Sequence, residues 1–214
     1  MKKLNIALAA GLIGTLAVGQ ALAGLVGSKH DFVQGGAGTP ISGVTESCKV
    51  CHVPHKPLMN TPLWAHALSS YSYNLYNTNA GYAGPNGAAY DASPASLAGS
   101  KSALCLSCHD GTVAVAGTTY VGTGNIMWNN GAAAGGANPS NGLRGSHPIA
   151  VNYATVRTNQ ASEYNDITAD AAVKLAASKV QCTTCHNAHN KVAGTKMLVK
   201  ANTASALCVT CHNK

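Results

Sequence analysis

Apolar residues form one long run near the N-terminus and only short groups elsewhere. The run extends from Ile6 to Val18, follows the basic start Met1-Lys2-Lys3 and precedes Ala21-Leu22-Ala23. A basic start, a short apolar stretch and small residues at a cleavage site predict a signal peptide over residues 1–23. The run is too short to cross a bilayer, which argues against an uncleaved anchor. We therefore expect an exported chain with no membrane span after cleavage.

The rest of the chain carries few signals of regular secondary structure. Apolar residues at helical spacing, with acidic residues early and basic residues late, predict a helix from about Asp166 to Lys179. Valines on both sides of Gly117 predict a short hairpin. Elsewhere we expect single turns joined by coil. The predicted fold is therefore mostly coil, with a few short α-helices and little β structure.

Two long segments contain few apolar or charged side chains. The stretches from Ser69 to Ser102 and from Gly117 to Gly145 are rich in Gly, Ala, Ser, Asn, Thr and Tyr. Removing residues 1–23 from the 214 leaves 191, which we expect to form a single domain over residues 24–214. These segments bury too little apolar area to offset the entropy of ordering them. The domain therefore needs a large apolar group besides its own side chains.

All eight cysteines lie in four copies of the motif Cys-x-x-Cys-His. The cysteine pairs are Cys48/Cys51, Cys105/Cys108, Cys182/Cys185 and Cys208/Cys211. The histidines that follow them are His52, His109, His186 and His212. In this motif two thiols add to the vinyl groups of one porphyrin, and the histidine ligates its iron. The sequence predicts four covalently attached haem c groups, whose flat apolar faces supply the core of a multihaem cytochrome c fold organised around a haem chain.

Three other uses of paired cysteines fit the pattern less well. A four-cysteine zinc site would leave the histidine after each second cysteine unexplained. A disulfide framework gives no reason for every cysteine to sit in a C-x-x-C pair followed by histidine. Thioredoxin-like chemistry needs a βαβ context, and the chain shows no alternation of apolar runs with amphipathic helices.

The four motifs fall into two similar modules, at about residues 30–110 and 147–213. Each module contains C-x-x-C-H-x-x-H, then S-A-L-C-x-x-C-H, and has one further histidine upstream of both motifs. Five histidines lie outside the motifs and are candidates for the second axial position on iron: His30, His55, His66, His147 and His189. Symmetry selects the upstream pair His30 and His147 and the H-x-x-H pair His55 and His189. His66 is then left over, although it could replace any one of the others.

The charge balance gives little support for nucleic-acid binding. The formal net charge is +7, and Lys2 and Lys3 of the signal peptide contribute two of these charges. Four haem groups with their propionates would bring the mature protein to about +1. The lysines are scattered and form no basic run. We expect partners other than nucleic acid, with some lysines placed near propionates.

The motifs resemble those of a known family. C-x-x-C-H-x-P-H, Pro62-Leu-Trp-Ala-His66, S-A-L-C-x-x-C-H and Ser146-His-Pro148 are similar to the multihaem cytochromes with doubled C-x-x-C-H motifs. Four motifs in a chain of this length, with Lys29-His-Asp-Phe32 after the cleavage site, resemble in particular the tetrahaem cytochromes of the OmcE type. The resemblance covers most of the mature chain through its motifs and leaves the loops between them unmatched. It implies bis-histidine haems in a continuous chain within an extracellular conductive filament, with one distal histidine crossing between subunits.

The available histidines favour electron transfer over catalysis. Haem enzymes need an open iron position or a special proximal ligand, whereas every motif here ends in histidine and five more are available. We therefore predict no catalytic residues. Three hypotheses remain: an extracellular or cell-surface filament, a soluble periplasmic electron shuttle, and a haem enzyme or its electron-delivering subunit. The expected partners are other copies of the chain, other redox proteins and extracellular acceptors.

His30 is a candidate for the ligand that crosses between subunits. It is the seventh residue after the predicted cleavage site and precedes the Gly-rich stretch Gln34–Pro40. Such an arm can reach a neighbouring chain, and a head-to-tail contact that does not close gives an open filament. In the alternative, His30 folds back onto a haem of its own chain. If His30 does not cross, His66 is the next candidate.

Overall fold

The structure is a computed structural model, and it describes the following residues: 24–33, 41, 43–58, 62–68, 97, 99–109, 143, 147–190, 192 and 197–214. The predicted signal peptide and the predicted hairpin around Gly117 lie outside these residues. Within the described ranges, no helix is long and apolar enough to cross a membrane.

Short helices joined by coil make up the described chain. They are α1 (Ser47–Cys51), α2 (Lys101–His109), α3 (Tyr153–Asn159), α4 (Cys182–Cys185), a 3₁₀ turn (Thr203–Ser205) and α5 (Cys208–Cys211). Pairing of the β type is limited to isolated bridges in this part of the chain. The predicted fold, mostly coil with a few short α-helices and little β structure, is confirmed.

Three of the four motifs share one local structure. The first cysteine begins or nearly begins a single helical turn, and its carbonyl accepts a hydrogen bond from the N–H of the motif histidine over 2.9 to 3.0 Å. Each of these histidines is extended and forms an antiparallel bridge: His52 with Trp64, His186 with Leu198, and His212 with Tyr164. The extended histidine ends the helix and ties the motif to a second segment of chain.

The remaining motif lies in a longer helix. Helix α2 spans nine residues and contains both cysteines of the second motif. Ser100 stabilises its start, since its hydroxyl accepts a hydrogen bond from the N–H of Ala103 over 3.1 Å. Leu106 and Ser107 of this helix are buried. The second motif is therefore part of a packed helix and not of a single turn.

The helix predicted from Asp166 to Lys179 is wrong. Asp170 accepts hydrogen bonds from the N–H groups of Ala172 and Val173 over 2.8 and 2.9 Å. Such local bonds compete with helical ones. Ala177 and Ser178 have φ of 51° and 61°, which interrupts a helix directly. The apolar positions of this stretch instead contribute Ile167 and Val173 to a core cluster.

Helix α3 has no clear signal in the hydrophobic pattern. Its N-cap is Asn152, whose side chain accepts a hydrogen bond from the N–H of Thr155 over 3.2 Å. Its buried residues are Tyr153 and Val156. Two buried apolar residues are too few to produce a helical periodicity of apolar positions in the sequence.

Two small apolar clusters lie beside the motifs. The first contains Phe32, Ile41 and Val50, with Cys51 and Cys108 packed against it. The second cluster consists of Tyr153, Ile167, Val173, Val180 and Leu207, with Cys185 and Cys211 packed against them. Each cluster thus contacts cysteines from two motifs, so the apolar side chains are concentrated where haem would attach.

The sequence repeat is also a backbone repeat. The N–H of Ala65 donates to the carbonyl of Cys51 over 2.9 Å, and the N–H of Val199 donates to that of Cys185 over 2.9 Å. Leu63 and Met197 occupy equivalent positions, and both are left-handed, with φ of 64° and 62°. The match continues without a gap to His66 and Lys200, which are therefore structural counterparts.

Candidate functional site

None of the eight motif cysteines forms a disulfide bond. Cys48 and Cys208 are exposed, and the other six are partly exposed. Burial raises the pKa of Cys51 to about 12 and that of Cys185 to about 11. Reactive and metal-bound thiols have lowered pKa values instead. The environment of these two cysteines is apolar, as the flank of a porphyrin requires.

Cysteines of successive motifs lie close together. The thiols of Cys105 and Cys182 share a hydrogen bond, which lowers the pKa of Cys182 and raises that of Cys105. The negative charge that Cys108 would carry raises the pKa of Cys51, and that of Cys211 raises the pKa of Cys185. The attachment points thus follow one another in space in the order of the chain.

An apolar cleft adjoins the third motif. Its volume is about 560 Å³, including the solvent at its mouth. Leu106, Leu143, Ile149 and Val180 supply apolar walls, and Cys182, Cys185 and His186 of the third motif line the cleft together with His147. Two thiols and an imidazole from one motif at an apolar opening are the attachment set of a covalently bound haem. These residues therefore fit the group that their motif implies.

Three pairs of histidine rings each join a motif histidine to a predicted distal ligand. The ring centroids lie 6.0 Å apart for His30 with His109, 6.3 Å for His52 with His189, and 6.3 Å for His147 with His212. Two imidazoles on opposite sides of one metal have centroids roughly 6 Å apart, because each metal–nitrogen bond is about 2 Å long. The three spacings match that arrangement.

The ring nitrogens of three histidines are oriented for metal binding. Nδ1 lies 2.7 Å from the Pro62 carbonyl in His52, 3.2 Å from that of Ala188 in His30, and 3.0 Å from that of Pro148 in His147. A carbonyl can only accept, so Nδ1 carries the proton and Nε2 keeps its lone pair. Metal-bound histidines commonly donate their other N–H in this way.

Burial also keeps several of these imidazoles neutral. It is the largest cause of the lowered pKa values of His30, His186 and His212. The nearby ring of His147 lowers the pKa of His212 further. Only a neutral imidazole can bind a metal. These three side chains therefore need no loss of a proton to act as ligands at neutral pH.

His66 is placed differently from the other four candidates. It is buried, and its Nε2 faces the carbonyl of Val50, so Nε2 carries the proton. Its ring meets that of Trp64 edge to face at 6.0 Å. Nε2 is the nitrogen that His30, His52 and His147 leave available to a metal. In His66 this nitrogen is engaged with the backbone.

His55 and His186 complete the set. His55 is exposed, His186 is accessible although neighbouring residues shield part of its ring, and no ring contact joins the two among the described residues. The structure therefore places three of the four selected distal candidates, His30, His147 and His189, beside a motif histidine and leaves His55 apart from one.

The structure adds polar residues that sequence analysis missed. Ser102 is fully buried: its hydroxyl donates to the side-chain carbonyl of Gln181 and accepts from the N–H of Cys182 over 3.0 Å. This contact joins α2 to α4. The sequence offers no signal for it, because Ser205 has the same place in the second S-A-L-C motif and is exposed.

Comparison with known proteins gives one match. Residues 175–214, which contain the third and fourth motifs, match the family described as the doubled CXXCH motif. No curated protein matches the chain. C-type cytochromes are typically exported proteins. The family match and the chemistry of the motifs together support a multihaem c-type cytochrome, with covalently bound haem c and a role in electron transfer.

Proposed function

We propose that this chain is a tetrahaem electron carrier in which two cysteines and two histidines hold each haem. The observation that carries the proposal is the spacing of 6.0 to 6.3 Å in three pairs of histidine rings. In each pair, one ring follows a C-x-x-C sequence and the other comes from outside the motifs.

The ligand pairs follow from these spacings and from the repeat. The first three pairs are His52 with His189, His109 with His30, and His212 with His147. His189 lies three residues after His186 and pairs with His52. Because the repeat is reciprocal, His55, three residues after His52, is the counterpart for His186. This assignment leaves His66 without an iron, in agreement with the contact between its Nε2 and Val50.

The ligand set favours electron transfer over substrate chemistry. When bound, haem iron supplies one-electron chemistry by changing between the ferrous and ferric states. Two imidazoles on each bound haem would leave no position on the iron open to a substrate. Histidine on both faces also lacks the thioether sulfur that raises the potential, so low potentials are expected. This ligand set supports the proposal of an electron-transfer protein over that of an enzyme.

The order of the cysteines supports a continuous path. Cys51 lies near Cys108, Cys105 contacts Cys182, and Cys185 lies near Cys211. These contacts hold neighbouring attachment points together from the first motif to the fourth. Electron transfer from one haem to the next requires such close spacing.

We also propose that the chain polymerises into an extracellular conductive filament. The resemblance to OmcE-type cytochromes supports this, as do exposed apolar side chains such as Val26 and Leu58, 55% and 62% accessible. The ring of His30 lies near His109 of its own chain, which favours ligation within the chain. The exposed His55 and His186 are then better candidates for a pair formed between subunits. His66 is buried and unsuited to crossing.

Three measurements test the proposal. The mature holoprotein should exceed the mass of residues 24–214 by four haem masses, and a smaller excess would contradict the haem count. Electron microscopy of the secreted fraction should show filaments, which His55→Ala abolishes and His30→Ala leaves intact. Monodisperse single chains in the periplasm would instead support the shuttle. Rapid carbon monoxide binding by the reduced wild-type protein would support the enzyme.

A further inference from the structure

A hydrogen bond joins the two motifs of the first module. The indole Nε1 of Trp64 donates to the hydroxyl of Ser107 over 3.1 Å. Ser107 directly precedes Cys108 in the second motif and is fully buried. Trp64 also forms the antiparallel bridge with His52 of the first motif, and its ring meets that of His52 edge to face at 6.0 Å. One side chain therefore contacts both motifs.

The second module has the same link with a different donor. The ammonium of Lys200 donates to the hydroxyl of Thr210 over 3.1 Å. Thr210 directly precedes Cys211, as Ser107 precedes Cys108. Lys200 belongs to the segment that bridges to His186 through Leu198. The equivalent segments thus reach equivalent hydroxyls. The donor is Trp64 in the first module; in the second it is Lys200, two residues after Leu198, which is the counterpart of Trp64.

In both links the hydroxyl oxygen accepts the hydrogen bond from the facing side chain. Ser107 donates its proton to the Leu104 carbonyl over 2.7 Å, and Thr210 donates to that of Ala206 over 2.9 Å. Each oxygen therefore offers a lone pair to the segment packed against it. An arrangement that occurs twice with different donors indicates that the hydroxyl is the common element.

We propose that Ser107 and Thr210 are positioning residues that fix the two haem groups of each module relative to one another. Each hydroxyl anchors the second motif of its module to the segment that forms the antiparallel bridge with the histidine of the first motif. The proposal rests on the proposed function, since it assumes haem at both motifs.

A role confined to helix stability is the alternative. The hydroxyl bonds to Leu104 and Ala206 lie within one turn of chain and would stabilise that turn without any donor from outside. The two roles differ in what happens when the donor alone is removed. Trp64→Phe keeps an aromatic ring beside His52 and removes the N–H that bonds to Ser107, together with part of the indole ring.

The test uses the purified holoprotein and its Soret circular dichroism. The exciton couplet in this band depends on the relative orientation of neighbouring haems, so it reports positioning and not haem content. We expect Trp64→Phe and Ser107→Ala each to reduce the couplet, and the double variant to reduce it no further than Ser107→Ala alone, because both remove one link. Ser107→Thr should restore it. The melting temperature should fall by about 2–4 °C for the loss of one hydrogen bond.

Ser205→Ala is the matched control, because it removes an exposed hydroxyl from the other S-A-L-C motif and should leave the couplet unchanged. An unchanged couplet in Trp64→Phe and Ser107→Ala, with full haem content, would overturn the inference. If Ser107→Ala fails to fold, Thr210→Val poses the same question in the second module, with Lys200 left in place because it also pairs with Asp170. A wild-type mass with fewer than four haems would instead refute the proposed function, so the two failures are distinguishable.

Discussion

At the scale of single residues, the backbone partner of each imidazole decides which nitrogen is available to iron. His30, His52 and His147 direct Nδ1 at a carbonyl, whereas His66 directs Nε2 at one. The same residue type thus has two roles within one chain. The sequence repeat distinguishes these roles only indirectly, because a lysine, Lys200, occupies the position equivalent to His66.

Loss of a distal ligand should open one iron. His189→Ala removes the ring that lies 6.3 Å from His52. We expect one haem of the four to become high-spin and to bind carbon monoxide after reduction, because one imidazole then remains on that iron. Electron paramagnetic resonance of the oxidised protein measures the change. A fully low-spin spectrum would show that His189 is not an iron ligand.

Loss of His66 should leave every iron unchanged. His66→Gln retains a side-chain N–H that can reach the Val50 carbonyl, so we expect the low-spin spectrum of the wild type. His66→Ala leaves that buried carbonyl without its donor and should lower the free energy of unfolding by about 1–3 kcal/mol. Denaturation followed by visible absorption measures this effect. A high-spin signal in either variant would make His66 a ligand.

Motif residues and their ligands are the part of the site that sequence can predict. Cysteine spacing identifies the attachment points, and the repeat selects His30, His55, His147 and His189 as distal candidates. The contacts of Trp64 and Ser102 could not be predicted. Each reaches a residue more than forty positions away, and nothing in the local pattern marks its partner.

At the scale of elements, short polar interactions override the hydrophobic pattern. The stretch from Asp166 to Lys179 has a helical pattern of apolar residues, yet it folds into turns because Asp170 bonds to nearby N–H groups and Ala177 and Ser178 are left-handed. The general prediction of turns and coil was right, because a motif that ends in an extended histidine cannot continue as a helix.

The turn at Asp170 should make the second module sensitive to acid. The Lys200 ammonium, 2.7 Å away, is the largest cause that lowers the pKa of Asp170 from 3.8 to about 2, and the N–H groups of Val173 and Ala172 assist. A lowered pKa stabilises the native state above pH 3.8, and this contribution is lost as the pH falls toward 2. Asp170→Asn should therefore lower the melting temperature at pH 7 and make little difference near pH 2.

Melting curves between pH 2 and 7 for wild type and Asp170→Asn measure that difference. Glu46→Gln is the control, because Glu46 forms an exposed ion pair with Lys49 that should contribute little. A difference in melting temperature between wild type and Asp170→Asn that does not change with pH would show that ionised Asp170 does not stabilise the turn.

At the scale of the whole molecule, the apolar side chains of the described residues form only small clusters. The two clusters contain three and five buried residues, and each contacts cysteines of two motifs. Haem faces would extend these clusters, so attachment and folding should be coupled. The chain without haem should then lack a stable fold.

Removal of one attachment site should destabilise its neighbours. Replacing Cys182 and Cys185 by serine removes the haem beside the 560 Å³ cleft. We expect the intact mass to fall by one haem and the melting temperature to fall by more than 10 °C, on the order of the effect of losing a large buried group. Mass spectrometry and thermal melting test this result. A variant with unchanged stability would show that this haem is not part of the core.

The most direct test of the account is a crystal or cryo-electron microscopy structure of the haem-loaded protein at a resolution that shows the axial ligands. We predict four irons, lying between His52 and His189, His109 and His30, His186 and His55, and His212 and His147, with the ligand that crosses between chains of a filament in the pair of His186 and His55. An iron bound by His66, or an iron with one imidazole and an open position, would contradict it.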